Sequence, residues 1–73
     1  MTYYFRKERM LARLEKEGRL KDVDEESLKI MNDLDNKPAT PSCWARQVYG
    51  EPVLWCEGDN GTSAYVNERD CTL

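Results

Sequence analysis

Val53-Leu54-Trp55-Cys56-Glu57, then Gly58-Asp59-Asn60-Gly61, then Thr62-Ser63-Ala64-Tyr65-Val66-Asn67 form the most legible part of the chain. Two β-prone runs flank residues that tolerate positive φ, and this predicts a hairpin. Period-two alternation sets Val53, Trp55 and Glu57 on one face with Leu54 and Cys56 on the other, and on the return it sets Ala64 and Val66 against Tyr65 and Asn67. Neither face is plainly polar, so both are expected to be partly covered. Upstream, Trp44, Arg46 and Val48 alternate with Ala45, Gln47 and Tyr49 before Gly50-Glu51-Pro52 breaks the chain, which gives a candidate third strand and a meander. Pro52 has no N–H to give a ladder and belongs at the turn. A lone three-stranded sheet is marginal in water, so it needs a second layer, and the residues before position 37 must supply it.

That first half reads as two helices. Tyr3 to Glu17, after Thr2 and ended by Gly18, carries Tyr3, Tyr4, Met10, Leu11 and Leu14 on one side and Arg6, Arg9, Arg13 and Lys16 on the opposite side. Asp24 caps the second helix, with Val23 and Leu28 as a hydrophobic staple and Leu28, Ile30, Met31 and Leu34 facing inward. Pro38 and Pro41 make 38–42 a connector that can be neither helix nor interior strand. After Val66, the polar run Asn67 to Asp70 leaves the sheet as a turn or short helical piece, and the last two residues are expected to be free. The expectation is one α+β domain over 1–73, two N-terminal helices packed on a three-stranded antiparallel β-meander, with a helical half 1–37, the proline connector 38–42 and a β half 43–71.

Seventy-three residues form a small domain, which buries only about 60% of the surface its unfolded chain exposes, so a homo-oligomer or a standing partner is expected to add stability. The formal charge of −3 is unevenly spread: residues 1–37 hold nine Lys/Arg and nine Asp/Glu, whereas 38–73 hold two and five. An acidic β half bearing Glu51, Glu57, Asp59, Glu68 and Asp70 repels nucleic acid and suits a basic protein surface. Cys43, Cys56 and Cys71 are odd in number, and neither a signal peptide nor a membrane-length apolar stretch accompanies them. A reduced, cytoplasmic protein away from the membrane is the default, its thiols acting as small hydrophobes. Asn60-Gly61-Thr62 matches a glycosylation acceptor, but one without a route to secretion.

Zinc favours closely spaced thiolate and imidazole pairs, and this chain has no histidine, while its cysteines lie 13 and 15 positions apart. Nucleophilic chemistry lacks a nearby base for the same reason. The carboxylates fall in caps, turns and solvated faces. No catalytic residue, metal site or cofactor is therefore expected. The stripe Arg6, Arg9, Arg13, Lys16 can be a solvated outer face, a phosphate-binding surface with Tyr3 or Tyr4 stacking on a base, or the mate of an acidic sheet in a second copy. Trp44, Trp55, Tyr49 and Tyr65 can form the core itself or leave a tryptophan on an exposed patch with an acidic rim.

The charged helical N-terminus, Gly50-Glu51-Pro52, Tyr65-Val66-Asn67-Glu68 and the closing Asp70-Cys71 give a chain that resembles small accessory proteins of phages and prophages of Gram-positive bacteria. The resemblance implies a non-enzymatic protein acting in the host cytoplasm by binding, commonly by inhibiting or redirecting a host or defence protein. Combined with the charge split, it points to a protein partner met through Trp44, Tyr49, Glu51, Trp55, Glu57 and Asp59. Such an acidic surface can occupy a positively charged groove meant for nucleic acid. Two alternatives stand beside it: nucleic-acid binding through Arg6, Arg9, Arg13 and Lys16, and a self-assembling protein that holds a small ligand between copies.

Overall fold

A computed structural model describes residues 2–73; Met1 and the side chain of Cys43, and with it the expectation of a small hydrophobic thiol there, lie outside that description. The class is α+β, but the sheet has five strands instead of three and the helices number three among the described residues. The order along the chain is β1 (Tyr3–Phe5), α1 (Lys7–Lys16), a 3₁₀ turn (Leu20–Asp22), α2 (Glu25–Leu34), β2 (Pro38–Pro41), α3 (Cys43–Tyr49), β3 (Val53–Glu57), β4 (Ser63–Asn67), a second 3₁₀ turn (Glu68–Asp70) and β5 (Cys71–Thr72). All pairings are antiparallel, and the spatial order is β4-β3-β2-β1-β5.

The hairpin forms as its sequence predicts. Gly58 N–H donates to the Thr62 carbonyl at 2.8 Å and Gly61 takes φ +79°, so the glycine-rich turn closes without strain. Leu54 and Cys56 face inward opposite Val66 and Ala64, and Trp55 pairs with Tyr65 on the outer face.

Five expectations are corrected. Tyr3 to Phe5 do not begin the first helix: β1 lies between β2 and β5, where three consecutive aromatics suit a strand better than a helix, and Phe5 is 1% exposed in the core. Helix α1 starts only at Lys7, whose N–H is capped by the Asp35 carboxylate at 2.9 Å. Its end follows expectation, since Gly18 at φ +72° lets Arg19 N–H reach the Leu14 carbonyl at 2.8 Å.

The proline connector is in fact the central strand. Pro38 pairs in register with β1 and Pro41 with β3, and only Ala39 has partners on both sides. Each proline therefore sits at an end of the strand, where only one neighbouring ladder runs past it.

Trp44 to Val48 lie in a helix, not in a third strand. Ser42 accepts a hydrogen bond from Ala45 N–H at 3.2 Å, and Gly50 at φ +69° ends the helix. These two caps outweigh a weak alternation. The chain end is also ordered as β5, where Thr72 pairs with Tyr4 and Cys71 with Phe5.

The link from Asn67 to Cys71 shapes the whole sheet. In a flat five-stranded sheet the edges β4 and β5 would lie about 19 Å apart, whereas four Cα steps reach at most about 15 Å and a 3₁₀ turn far less. The sheet is therefore curled, and its two edges approach each other. Helices α1 and α2 fill the concave side, where Phe5, Leu14, Met31, Leu34, Ala39, Leu54, Cys56, Val66 and Cys71 form one core. Leu28 does not face inward: the inward line of α2 is the half-buried Ser27 with the buried Met31 and Leu34 at i, i+4 and i+7, which leaves Leu28 39% exposed and Ile30 38% exposed. Asp24 caps this helix by accepting from Ser27 N–H at 2.7 Å, and that bond holds its carboxyl below the usual range.

Candidate protein-binding surface

Alternation decides which side of the sheet carries the aromatics. Because Leu54, Cys56 and Val66 point into the core, Trp55 and Tyr65 must point out. They stand directly opposite each other, ring centroids 4.9 Å apart and edge to face. Helix α3 packs beside β3 on this convex side. Its Ala45 is fully buried, which lets the helix sit close, while Trp44 and Tyr49 reach Tyr65 at centroid separations of 6.1 and 5.8 Å. Three rings thus meet around Tyr65. Trp44 remains 60% exposed, Tyr49 55% and Val48 56%, so this platform faces water although the core does not require it there.

The acidic residues divide. Glu57 accepts from Trp55 Nε1 at 2.8 Å and so borders the platform. Glu51 lines an open cleft of about 640 Å³ that runs from Tyr49 past Tyr65, Val66 and Asn67 to Met10 and Arg13. Asp59 lies instead at the hairpin turn, paired with Lys37. Asp33 holds the same turn from α2, accepting from Asn60 Nδ2 at 2.8 Å and Thr62 Oγ1 at 2.7 Å; these bonds depress its pKa, the Thr62 bond most. Among the six residues expected to meet a protein, Trp44, Tyr49 and Trp55 come together, Glu51 and Glu57 border them, and Asp59 belongs elsewhere. Tyr65, grouped with these aromatics by the sequence but not among the six, stands at their centre.

The basic stripe is engaged within the molecule. Arg13 grips the buried Asp70 with Nε at 2.8 Å and Nη2 at 2.9 Å, and it also meets Glu17 at 3.2 Å. The Asp70 bond is the main reason its guanidinium is held above even the ordinary arginine range. Arg6 donates to Thr72 Oγ1 at 2.7 Å and to Asn36, and it stacks over the Tyr4 ring at 5.6 Å. Arg9 Nε donates to the Arg69 carbonyl at 3.2 Å. Lys16 is exposed.

Cys56 and Cys71 are free and buried. Burial is the largest cause pushing both thiols up, Cys71 to about 11, which suits small apolar groups more than nucleophiles. Among the described residues no three His, Cys, Asp or Glu side chains converge as metal ligands, and no helix is long and apolar enough to cross a membrane. Comparison with known proteins found no matching family model, no matching curated protein and no matching solved structure, so the functional reading rests on this geometry.

Proposed function

We propose that this chain is a non-enzymatic binding module that engages a protein partner through the Trp44, Tyr49, Trp55 and Tyr65 platform, with Glu51 and Glu57 steering the approach. One observation carries the reading: four aromatic rings gather on the convex, water-facing side of the sheet while a separate core is complete without them. Large aromatic anchors ringed by polar groups are what protein interfaces use to concentrate their binding energy. The acidic border favours a basic partner surface, such as a groove that ordinarily holds nucleic acid. This is the behaviour implied by the resemblance to phage accessory proteins that inhibit or redirect a host or defence protein. Nucleic-acid binding by Arg6, Arg9 and Arg13 draws less support, because their side chains already hold the C-terminal segment.

The test is capture from a bacterial lysate by the tagged chain, its Trp44→Ala/Tyr49→Ala variant and its Glu51→Gln/Glu57→Gln variant. The expected result is a species held by the parent chain, lost with the aromatic variant, and held with a weaker dependence on salt by the charge variant. If both variants retained the same species as the parent at every salt concentration, the platform would not be the contact.

A further inference from the structure

Strand β4 is an edge of the sheet and pairs with β3 alone. The ladder is phased at both ends: Gly58 N–H donates to the Thr62 carbonyl at 2.8 Å, and Glu68 N–H to the Pro52 carbonyl at 3.0 Å. Hydrogen-bonded pairs in an antiparallel ladder recur at every second residue. The N–H and C=O groups of Ala64 and Val66 are therefore directed to β3, and those of Ser63, Tyr65 and Asn67 point away from it, the Asn67 carbonyl using one of its two lone pairs to accept from Cys71 Sγ at 3.6 Å.

Exposed edges are normally blunted by lysine, proline, a bulge or a covering element. In a chain with 34% charged residues, Ser63 to Asn67 holds no charge and no proline, and its register with β3 runs unbroken through five pairs. Open space lies on both sides of it. The cleft by Tyr49 and Met10 is on one side, and on the other is an apolar cleft of about 270 Å³ lined by residues including Met10, Ile30, Met31, Ala64 and Val66. The opposite edge, β5, is only two residues long, and the Arg6 side chain ties it down at Thr72.

We propose that β4 is the interface between two copies of this chain, pairing antiparallel with itself about a two-fold axis at Tyr65. The outward groups at 63, 65 and 67 are symmetric about that residue. A two-fold there places Tyr65 against Tyr65 of the second copy and Ser63 against Asn67, giving three hydrogen-bonded pairs of two bonds each. On the inner side Ala64 meets Val66 of the second copy and the two apolar clefts join. No like charges face each other along the strand, and the two sheets become one. This inference is argued from the backbone edge, although the two-fold also brings Tyr65 of the platform against its counterpart.

Sedimentation and amide exchange, measured from about 1 μM to about 1 mM to span the affinities a small interface allows, test it. The mass is expected to rise from 8.6 kDa to twice that value. The Ser63, Tyr65 and Asn67 amides are expected to gain protection with concentration, whereas those of Ala64 and Val66 stay protected throughout. Ser63→Pro removes an outward N–H at the first residue of the strand and is expected to weaken the dimer about tenfold or more. Continued protection of Ala64 and Val66 verifies that this variant folds; if it does not fold, Ser63→Lys, which blunts the same edge with charge, is judged by the same criterion. A monomer at the highest concentration overturns the proposal. So does a dimer whose outward amides exchange freely, a folded edge variant that dimerises like the parent, or an edge that gains protection only on adding an extended peptide.

Discussion

Replacing Arg13 by methionine keeps much of the side-chain stem and removes the guanidinium. Asp70 is 1% exposed, and both its oxygens take a hydrogen bond from Arg13, at 2.8 and 2.9 Å. Without them a carboxylate stays buried with no cation beside it, a change that costs about 3–5 kcal/mol. A domain of this length has a total stability on the order of 4–11 kcal/mol, so the variant loses about a quarter or more of it. The reverse change, Asp70→Asn, is expected to cost less, about 1–2 kcal/mol, because the Arg13 side chain is 24% exposed and can turn to water and Glu17. Arg13→Met with Asp70→Leu removes both charges and is expected to recover most of the loss. Urea unfolding and thermal melts followed by circular dichroism compare the four proteins, and the single Arg13 variant is expected to lower Tm by roughly 12–40 °C. A cost below about 0.5 kcal/mol for Arg13→Met would refute the reasoning, since it would mean that Asp70 needs no cation to stay buried.

Three further outcomes are expected from the same fold. A Cβ at Gly58 would stand 2.8 Å from the Asp33 backbone carbonyl, so Gly58→Ala is expected to cost about 1–3 kcal/mol by overpacking, read as a lower urea midpoint with unchanged slope. Cys71 titrates near 11 in the fold against about 9 when unfolded; between these values the unfolded chain has released a proton that the folded chain keeps, so stability is intact below pH 9 and falls as pH rises towards 11, by about 1–3 kcal/mol. Cys71→Ala is expected to flatten that part of the pH profile in thermal melts. The Trp44→Ala/Tyr49→Ala variant is expected to shift the unfolding midpoint by less than about 1 kcal/mol, since neither ring is in the core, and a large loss would mean that the platform is structural.

The hairpin was legible because its signals are local: glycines at the turn and alternation through Leu54, Cys56 and Val66 decide it within fifteen residues. The Gly18 stop and the Asp24 cap are local in the same way. The readings that failed depended on distant partners. Tyr3 to Phe5 resemble the start of a helix until β2 and β5 are known to flank them, and Pro38 to Pro41 look excluded from a sheet until each proline is placed beside a ladder it need not serve. The third helix is a different case. Ser42 fell in the expected connector and Gly50 in a break after the expected strand, and seven residues carry too little periodicity to mark the helix between them. The site inherited that error: Trp44, Tyr49 and Tyr65 were grouped with Trp55, but the approach of Trp44 and Tyr49 from a helix and the central place of Tyr65 required the fold.

The arginine stripe shows how closure and surface are coupled. The short passage from β4 to β5 forces the sheet to curl, and the 3₁₀ turn that makes the passage brings Asp70 beneath α1. Arg13 then meets a buried carboxylate, Arg9 the Arg69 carbonyl, and the Arg6 backbone N–H the Asp70 carbonyl at 2.9 Å, so two arginine side chains and one backbone bond fasten the turn between β4 and β5. A basic face that in the sequence resembles an invitation to phosphate is, in the fold, a clasp. Its use there leaves the convex side, with its rings and its uncovered edge, as the surface free to meet another molecule. A clasp made of ion pairs and hydrogen bonds, unlike an apolar core, is also sensitive to the removal of single charges, which is why Arg13 and Asp70 separate a folding role for the stripe from a binding role.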